Sequence, residues 1–331
     1  MQIQNLKLTG NILLAPMAGI TDLPYRRIMR PFGVALAYSE MVSANGLIRD
    51  GRRTLELLRS CAADRPLAVQ LFGSDPQIMA KAAGMVEEYG ELIDINMGCP
   101  VPKVVRSGSG SALMRTPERV EALVTAVRRA TSRPLTVKIR SGWDMENRNF
   151  LEIARIAVDA GADAVTLHPR TRSQGFGGEA NWDDIATLKR AISVPVIGSG
   201  DIFSADDAVT LLGVSRCDAI MIGRGGYGNP WLIAEIAARQ KGEVFTPISP
   251  EEKGGVAREH LTLSIEELGE KRALREMRKH LCWYSRGLAG AAQFRMRVNS
   301  ALTFAQLNEE IDTFFTTASR QEENQPHVHH G

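Results

Sequence analysis

"LIDINMGCP", residues 92–100, decides the fold. Strand side chains alternate between faces, so Ile93, Ile95 and Met97 share one side and Asp94 and Asn96 the other. The run then breaks at Gly98, Cys99 and Pro100 and continues as "VPKVVRSGSGSALM" to residue 114. Its prolines stiffen the near side, and its Ser/Gly run predicts a flexible far side. The stretch is either a turn that happens to hold a thiol or a mobile loop that presents Cys99.

Similar apolar runs recur along the chain. With this one they make eight strand candidates, at 11–17, 35–41, 67–73, 92–98, 135–142, 164–170, 195–200 and 219–224. Segments such as "DPQIMAKAAGMVEEYG" and "TPERVEALVTAVRRA" between them place apolar residues at helical spacing. Helix starts are signalled at Ser74-Asp75-Pro76, Thr116-Pro117-Glu118 and Ser204. Strands alternating with helices imply a parallel sheet. Eight such units predict an α/β fold, a closed (β/α)8 TIM barrel, over residues 1–242. A doubly wound open sheet is the structural rival. Residues 243–250 read as a linker, 251–318 as a small all-helical domain and 319–331 as a disordered polar tail. The tail's His329 and His330 read as a flexible end and not as a metal site.

Strands of a parallel barrel are buried on both faces, so polar residues within them need a reason. Gln70 shares a face with Ala68 and Phe72; Lys138 shares one with Arg140; Thr166, His168 and Arg170 share another. With Asp94 and Asn96, four consecutive strands put polar groups on one face near their C-terminal ends, where a barrel opens its active site. Taken singly, His168 reads as a structural histidine, and Lys138 as a partner of Asp94. Strand seven ends "GSGD" (198–201) and strand eight "GRGG" (223–226), glycine turns whose N–H groups suit an anion, with Arg224 beside them. The same glycines also suit simple tight turns.

Composition sets the limits. The 331 residues are 44% hydrophobic and carry a net charge of +2, so a nucleic-acid partner must be met by a local basic patch. Cys61, Cys99, Cys217 and Cys282 are widely spaced and form no CxxC pair, which suits a reducing compartment. With no signal-like start and no long apolar run, the expectation is a soluble cytoplasmic protein, read as a monomer. Residues 271–297 hold eight Lys/Arg against one acid, Glu276, with Trp283 and Tyr284 among them. That is either a solvated helix face around a core Trp or an RNA-binding surface.

"LAPMAGITD", "INMGCP", "VKIRSGW", "SGD" and "MIGRG" together resemble the tRNA-dihydrouridine synthase family, and most closely its bacterial B-type, nitrogen-regulation-like branch. The resemblance runs through the barrel into the helical domain, which in the family binds RNA. It implies an oxidoreductase in which NADPH reduces FMN, which in turn reduces the C5–C6 double bond of tRNA uridines to 5,6-dihydrouridine. It further implies that Pro16, Met17 and Ala18 line the flavin. Gln70 and Lys138 would hydrogen-bond its ring system, with His168 alongside. Ser199, Gly200, Asp201, Gly223 and Arg224 would hold its phosphate end. Cys99 would be the catalytic acid, consistent with a thiol whose ordinary pKa of about 8.5 leaves it protonated at neutral pH. Asn96 would orient the base. Arg140, Arg170 and Arg172 at the rim, and Arg275, Arg278 and Lys279 in the helical domain, would meet the tRNA. Two rivals remain: an FMN barrel reducing a free pyrimidine, as dihydroorotate dehydrogenase-like enzymes do, and a non-catalytic RNA-binding barrel.

Overall fold

A computed structural model describes residues 1–49 and 51–323. Its first compact unit spans Met1–Gly225, and a second begins at Gly226. The first unit carries eight parallel strands: β1 Ile12–Leu14, β2 Leu36–Tyr38, β3 Leu67–Phe72, β4 Leu92–Met97, β5 Leu135–Gly142, β6 Ala164–Thr171, β7 Val196–Ser199 and β8 Ala219–Ile222. Each pairs with the next, and β8 pairs with β1, so the sheet closes on itself. The expected barrel is the observed fold, and the open-sheet rival falls with that closure. Strand two is shorter than expected. It stops at Tyr38, and Val42–Ser43 resumes its place beside Leu71 and Phe72.

The outer helices begin where the chain supplies capping acceptors. Asp22 accepts from Tyr25 N–H at 3.1 Å at the start of α1 (Leu23–Met29). Asp75, and not Ser74, accepts from Ile78 N–H at 2.9 Å to start α2 (Pro76–Val86). Next come α3 (Pro117–Ala130), α4 (Phe150–Asp159), α5 (Trp182–Ala191) and α6 (Ala205–Ser215). Ser204 and Asp207 cap α6 reciprocally.

Parity holds inside the barrel. Leu13, Leu36, Ala68, Leu92, Ala164, Ile197 and Ala219 form one buried cluster, and Ile3 and Leu8 from the N-terminal hairpin pack into it. Burying a leucine or isoleucine stabilises by about 1.5–3 kcal/mol. The next inward positions along β3 to β6 are polar. Strand register sets Gln70 beside Asp94, Asp94 beside Thr136, Asn96 beside Lys138 and Arg140 beside His168. An apolar plug thus supports a polar floor.

The second unit is all-helical: α7 Trp231–Lys241, α8 Pro250–Leu268, α9 Glu270–Tyr284, α10 Ala291–Ser300 and α11 Phe304–Glu323. Leu261, Met277, Leu281, Phe294, Val298, Ile311 and Phe315 form its core. Trp231 packs on that core, which puts α7 with this unit; the sequence reading had kept that helix with the barrel to residue 242. Residues 243–249 are free of helix and strand. The tail expected to be disordered from 319 is helical through Glu323, because Phe314, Phe315 and Ala318 anchor α11. Residues 324–331, with His329 and His330, lie outside the described residues. No described helix is long and apolar enough to cross a membrane.

Candidate active site at the barrel mouth

The floor is a hydrogen-bonded chain of side chains. Thr136 Oγ1 donates to Asp94 Oδ1 at 2.5 Å, and Gln70 Nε2 donates to Asp94 Oδ2 at 2.6 Å. Asn96 Nδ2 donates to Gln70 Oε1 at 2.8 Å. Asn96 Oδ1 in turn accepts from the backbone N–H of Gly98 at 3.1 Å and of Cys99 at 2.9 Å. Burial pushes the Asp94 carboxyl up to about 7, against the bonds from Thr136 and Gln70 and the charge of Lys138.

The chain sets how two of the expected site residues are held. Gln70 is fully buried, with both ends of its carboxamide engaged by Asp94 and Asn96. Asn96 bonds Gln70 and the cysteine loop, and so holds the loop at the strand end where it is also expected to orient a base. Lys138 differs from both. Its side chain makes no hydrogen bond or ion pair among the described residues. Burial, then the charge of Arg140, pull its pKa down to about 8, while Asp94 and Cys99 oppose the shift.

Cys99 lies just past β4 and is largely buried. Burial pushes its thiol pKa up; the hydrogen bond at Val101 and the charges of Arg140 and Lys138 only partly offset this. The thiol is therefore held protonated at neutral pH. The loop that follows is not the flexible strap its Ser/Gly composition predicts. Ser109 and Ser111 are buried, and Ser111 donates to the Cys99 carbonyl from its backbone N–H at 3.1 Å and its hydroxyl at 3.0 Å. Gly110 has φ +61°, and a Cβ there would lie 2.7 Å from the Cys99 carbonyl oxygen. The small residues are there for close packing around Cys99.

The mouth's opposite side is built on Asp201. This residue holds φ +55°, an uncommon conformation for a side-chain-bearing residue. Arg170 grips its carboxylate with both terminal nitrogens, at 2.8 and 2.6 Å; Ala180 N–H adds a bond at 2.8 Å and Arg224 one at 3.2 Å. Burial pushes the Asp201 carboxyl up, but these bonds and charges outweigh it and hold the group below the usual range. Gly200, at φ +110°, is needed because a Cβ would come within 2.9 Å of His168 Cδ2. His168 is held neutral, its pKa lowered first by burial and then by Lys138, Arg140, Arg170 and Arg224. Ser199 is buried, while Pro16, Met17 and Gly223 are half-buried and Ala18 exposed along the ends of β1 and β8. Sequence reading missed Phe176. It is 58% exposed, tilted over His168 with ring centroids 6.3 Å apart, with the Arg224 guanidinium 4.8 Å from its ring. The signal was an aromatic set among Gly175, Gly177 and Gly178.

The arginines expected at the rim divide. Arg170 is buried and spent on Asp201 and the Gly177 and Gly178 carbonyls. Arg140 is buried and donates to the Gly98, Thr171 and Gly175 carbonyls. Both are internal clamps, and neither is a rim contact. Arg172 does reach the rim, its guanidinium 4.6 Å from the Trp143 ring, and Arg115 sits 4.7 Å from the same ring. In the helical unit only Arg275 of the expected three is well exposed, with its side chain 71% accessible. Arg278 donates to the Ala301 carbonyl that ends α10, and Lys279 pairs with Glu276 at 2.7 Å. Tyr284 is a core residue, and Trp283 stacks on Tyr227 with ring centroids 4.2 Å apart.

A closed (β/α)8 barrel whose C-terminal mouth gathers a buried thiol, a lysine with no side-chain partner among the described residues and a clamped aspartate has the layout of a barrel enzyme. The model of the dihydrouridine synthase family matches residues 13–319, and the chain belongs to that family. It is 43% identical to tRNA-dihydrouridine synthase B of Pasteurella multocida, over 91% of each chain. It is 40% identical to a probable tRNA-dihydrouridine synthase of Rickettsia bellii, over 97% of this chain and 99% of that one. Among solved structures it is similar to a 2-naphthoyl-CoA reductase bound to 2-naphthoyl-CoA. That match has a TM-score of 0.55 and 13% identity over 73% of this chain and 52% of the other, a likeness of fold alone.

Proposed function

We propose that this chain reduces the C5–C6 double bond of uridines in tRNA to 5,6-dihydrouridine in the cytoplasm, using FMN and NADPH. The single observation that carries the reading is Cys99 just past β4, its backbone held by Asn96 and Ser111, at a mouth it shares with Lys138, whose side chain has no partner among the described residues. Family membership and relatives named for tRNA-dihydrouridine synthesis support it.

The residues present fit a flavin mononucleotide. Lys138 has a cation to place against the pyrimidine edge of the ring system, where reduction develops negative charge. Gly200 packs directly against His168 at the end of β7, Gly223 lies at the end of β8, and Arg224 supplies a guanidinium there for the phosphate. Pro16, Met17 and Ala18 are the accessible residues at the end of β1. When bound, FMN reduced by NADPH supplies the hydride that the uracil takes at C6.

The chain's own residues do the rest. Hydride arrival at C6 leaves negative charge on C5 and O4 of the base. The Cys99 thiol gives its proton to C5, and the thiolate is reprotonated from solvent. Neutral His168 adds no positive charge beside the ring, while Lys138 and Arg140 steady the thiolate that forms. A uracil within tRNA must leave its stack to reach this mouth.

The test is Cys99→Ala. The variant should purify yellow and bleach with NADPH as the wild type does, while dihydrouridine formation in tRNA falls by about 10²–10⁴-fold. Full tRNA turnover by the variant would remove Cys99 as the acid. A colourless wild type would favour a non-catalytic RNA-binding barrel, and turnover of a free pyrimidine without tRNA would favour a small-molecule reductase.

A further inference from the structure

We infer that Asp94 is a positioning residue for Cys99, acting through the carboxamides of Gln70 and Asn96 to fix where the cysteine backbone sits at the mouth. The inference rests on the reading of Cys99 as the proton donor.

The argument is one of donors and acceptors. An ionised carboxylate has no hydrogen to give, so the Gln70 atom 2.6 Å from Asp94 must be the amide nitrogen. That turns Gln70 Oε1 toward Asn96, so the Asn96 atom 2.8 Å away must also be nitrogen. Asn96 Oδ1 is then left facing the loop, where the N–H groups of Gly98 and Cys99 can be met only by an acceptor. The two ends of the chain therefore agree, and only one orientation of both amides satisfies them. Asp94 and Gln70 are fully buried and Asn96 nearly so, so water cannot repair a reversed amide. A reversed Asn96 would set its nitrogen against two backbone N–H groups, and the Cys99 backbone would have to move.

The charge on Asp94 is the part of this device that can change. Lys138 from β5 and Tyr38 from β2 are the titratable groups that interact with it, and burial together with the Asp94 charge raises the Tyr38 phenol beyond its ordinary range. With the carboxyl pushed up to about 7, Asp94 loses its charge as pH falls through neutrality. A protonated Asp94 can donate to Gln70 and no longer dictates the direction of the chain. Positioning is thus complete above that value and fades below it.

The test is a swap. Asp94→Asn removes the obligatory acceptor. Asn96→Asp keeps the acceptor for the loop but cannot donate to Gln70. The double variant D94N/N96D restores a consistent chain running the other way: the new Asn donates to Gln70 Oε1, Gln70 Nε2 donates to the new Asp, and that carboxylate accepts from Gly98 and Cys99. In the purified holoenzyme each single change should lower kcat at least about tenfold with tRNA KM little altered. The double variant should recover to within about threefold of wild type. Peptide-resolved alkylation of Cys99 by iodoacetamide should follow the same pattern. It is an independent readout that stands even if tRNA proves not to be the substrate. The proposal is overturned if the double variant is as impaired as the sum of the singles, or if it fails to fold. It is equally overturned if Asp94→Asn keeps wild-type kcat and Cys99 alkylation across pH 6–8.

Discussion

Arg170 closes both terminal nitrogens of its guanidinium on the Asp201 carboxylate, at 2.8 and 2.6 Å, joining β6 to the turn after β7. Asp201 needs the grip, because its positive φ costs on the order of 1–3 kcal/mol and persists only where surroundings impose it. The turn so held carries Gly200 and faces Arg224. Arg170→Ala should therefore destabilise the barrel by about 3 kcal/mol and release the flavin. Arg170→Lys, which lacks the planar fork, should recover only part of the loss. Denaturant midpoints and flavin absorbance after gel filtration report the two effects separately. An intact flavin content in Arg170→Ala would show that the turn does not depend on this pair.

Lys138 gives a pH dependence with a definite sign. Its pKa is lowered from an ordinary value of about 10.4 to about 8, with burial the main cause. The amine is cationic below that value and neutral above it, so its contribution to binding an electron-rich ring edge is present at pH 7 and lost as pH rises through 8. Flavin dissociation, followed by the return of free-flavin fluorescence, should quicken between pH 7 and 9.5. Lys138→Met should release flavin faster than wild type at pH 7, converge with it at the upper end of that range and show no such inflection.

Much of this site was legible because strands have a strict period of two. The alternation of Ile93 and Ile95 against Asp94 and Asn96 places the polar pair inside the barrel, and the register sets them beside Gln70, Thr136 and Lys138. What parity does not reveal is how an inward polar group is spent. Gln70 and Lys138 look equivalent in a string, yet one is sealed into an amide chain and the other has no side-chain partner among the described residues. Arg140 and Arg170 read as rim cations because sequence distance from a strand end says nothing about which carbonyls turn inward to meet them. The Ser/Gly run at 107–111 was read as flexibility; small residues also permit tight approach, and here Gly110 and Ser111 are pressed against Cys99. In the helical unit, charge density located a basic segment but could not separate Arg275, facing solvent, from Arg278, bound to a helix end.

Asp64 illustrates a stability element with no sequence signal. It lies in the turn before β3 and is fully buried, where Arg26 donates to it at 2.9 and 2.8 Å and Arg30 meets its other oxygen at 3.4 Å. The same arginines reach the Thr21, Arg59 and Pro66 carbonyls, so one carboxylate ties α1 to the approach of β3. Asp64→Ala would strand two guanidinium groups and should cost roughly 3–5 kcal/mol. Thermal unfolding should show a lower Tm, while the folded fraction keeps its flavin and the reactivity of Cys99. A Tm within 2 °C of wild type would contradict the assignment.

The rim supplies the last prediction. The guanidiniums of Arg115 and Arg172 lie 4.7 and 4.6 Å from the Trp143 ring, on segments that follow β4 and β6, with Trp143 itself just after β5. Neither side chain makes a hydrogen bond or ion pair among the described residues, so both cations are available. The ring holds them in place at little entropic cost, since stacking on an indole fixes a guanidinium without using its N–H donors. Such a pair suits RNA phosphates flanking a nucleotide drawn into the mouth. Arg115→Ala and Arg172→Ala should each raise the tRNA KM several-fold and reduce the slope of log KM against log salt by about 0.7–0.9, with kcat and flavin content unchanged. Trp143→Leu keeps both charges but removes their shared support, so it should raise KM while leaving most of the salt slope in place. If KM and slope are unaffected in both arginine variants, the RNA path runs over another part of the barrel surface.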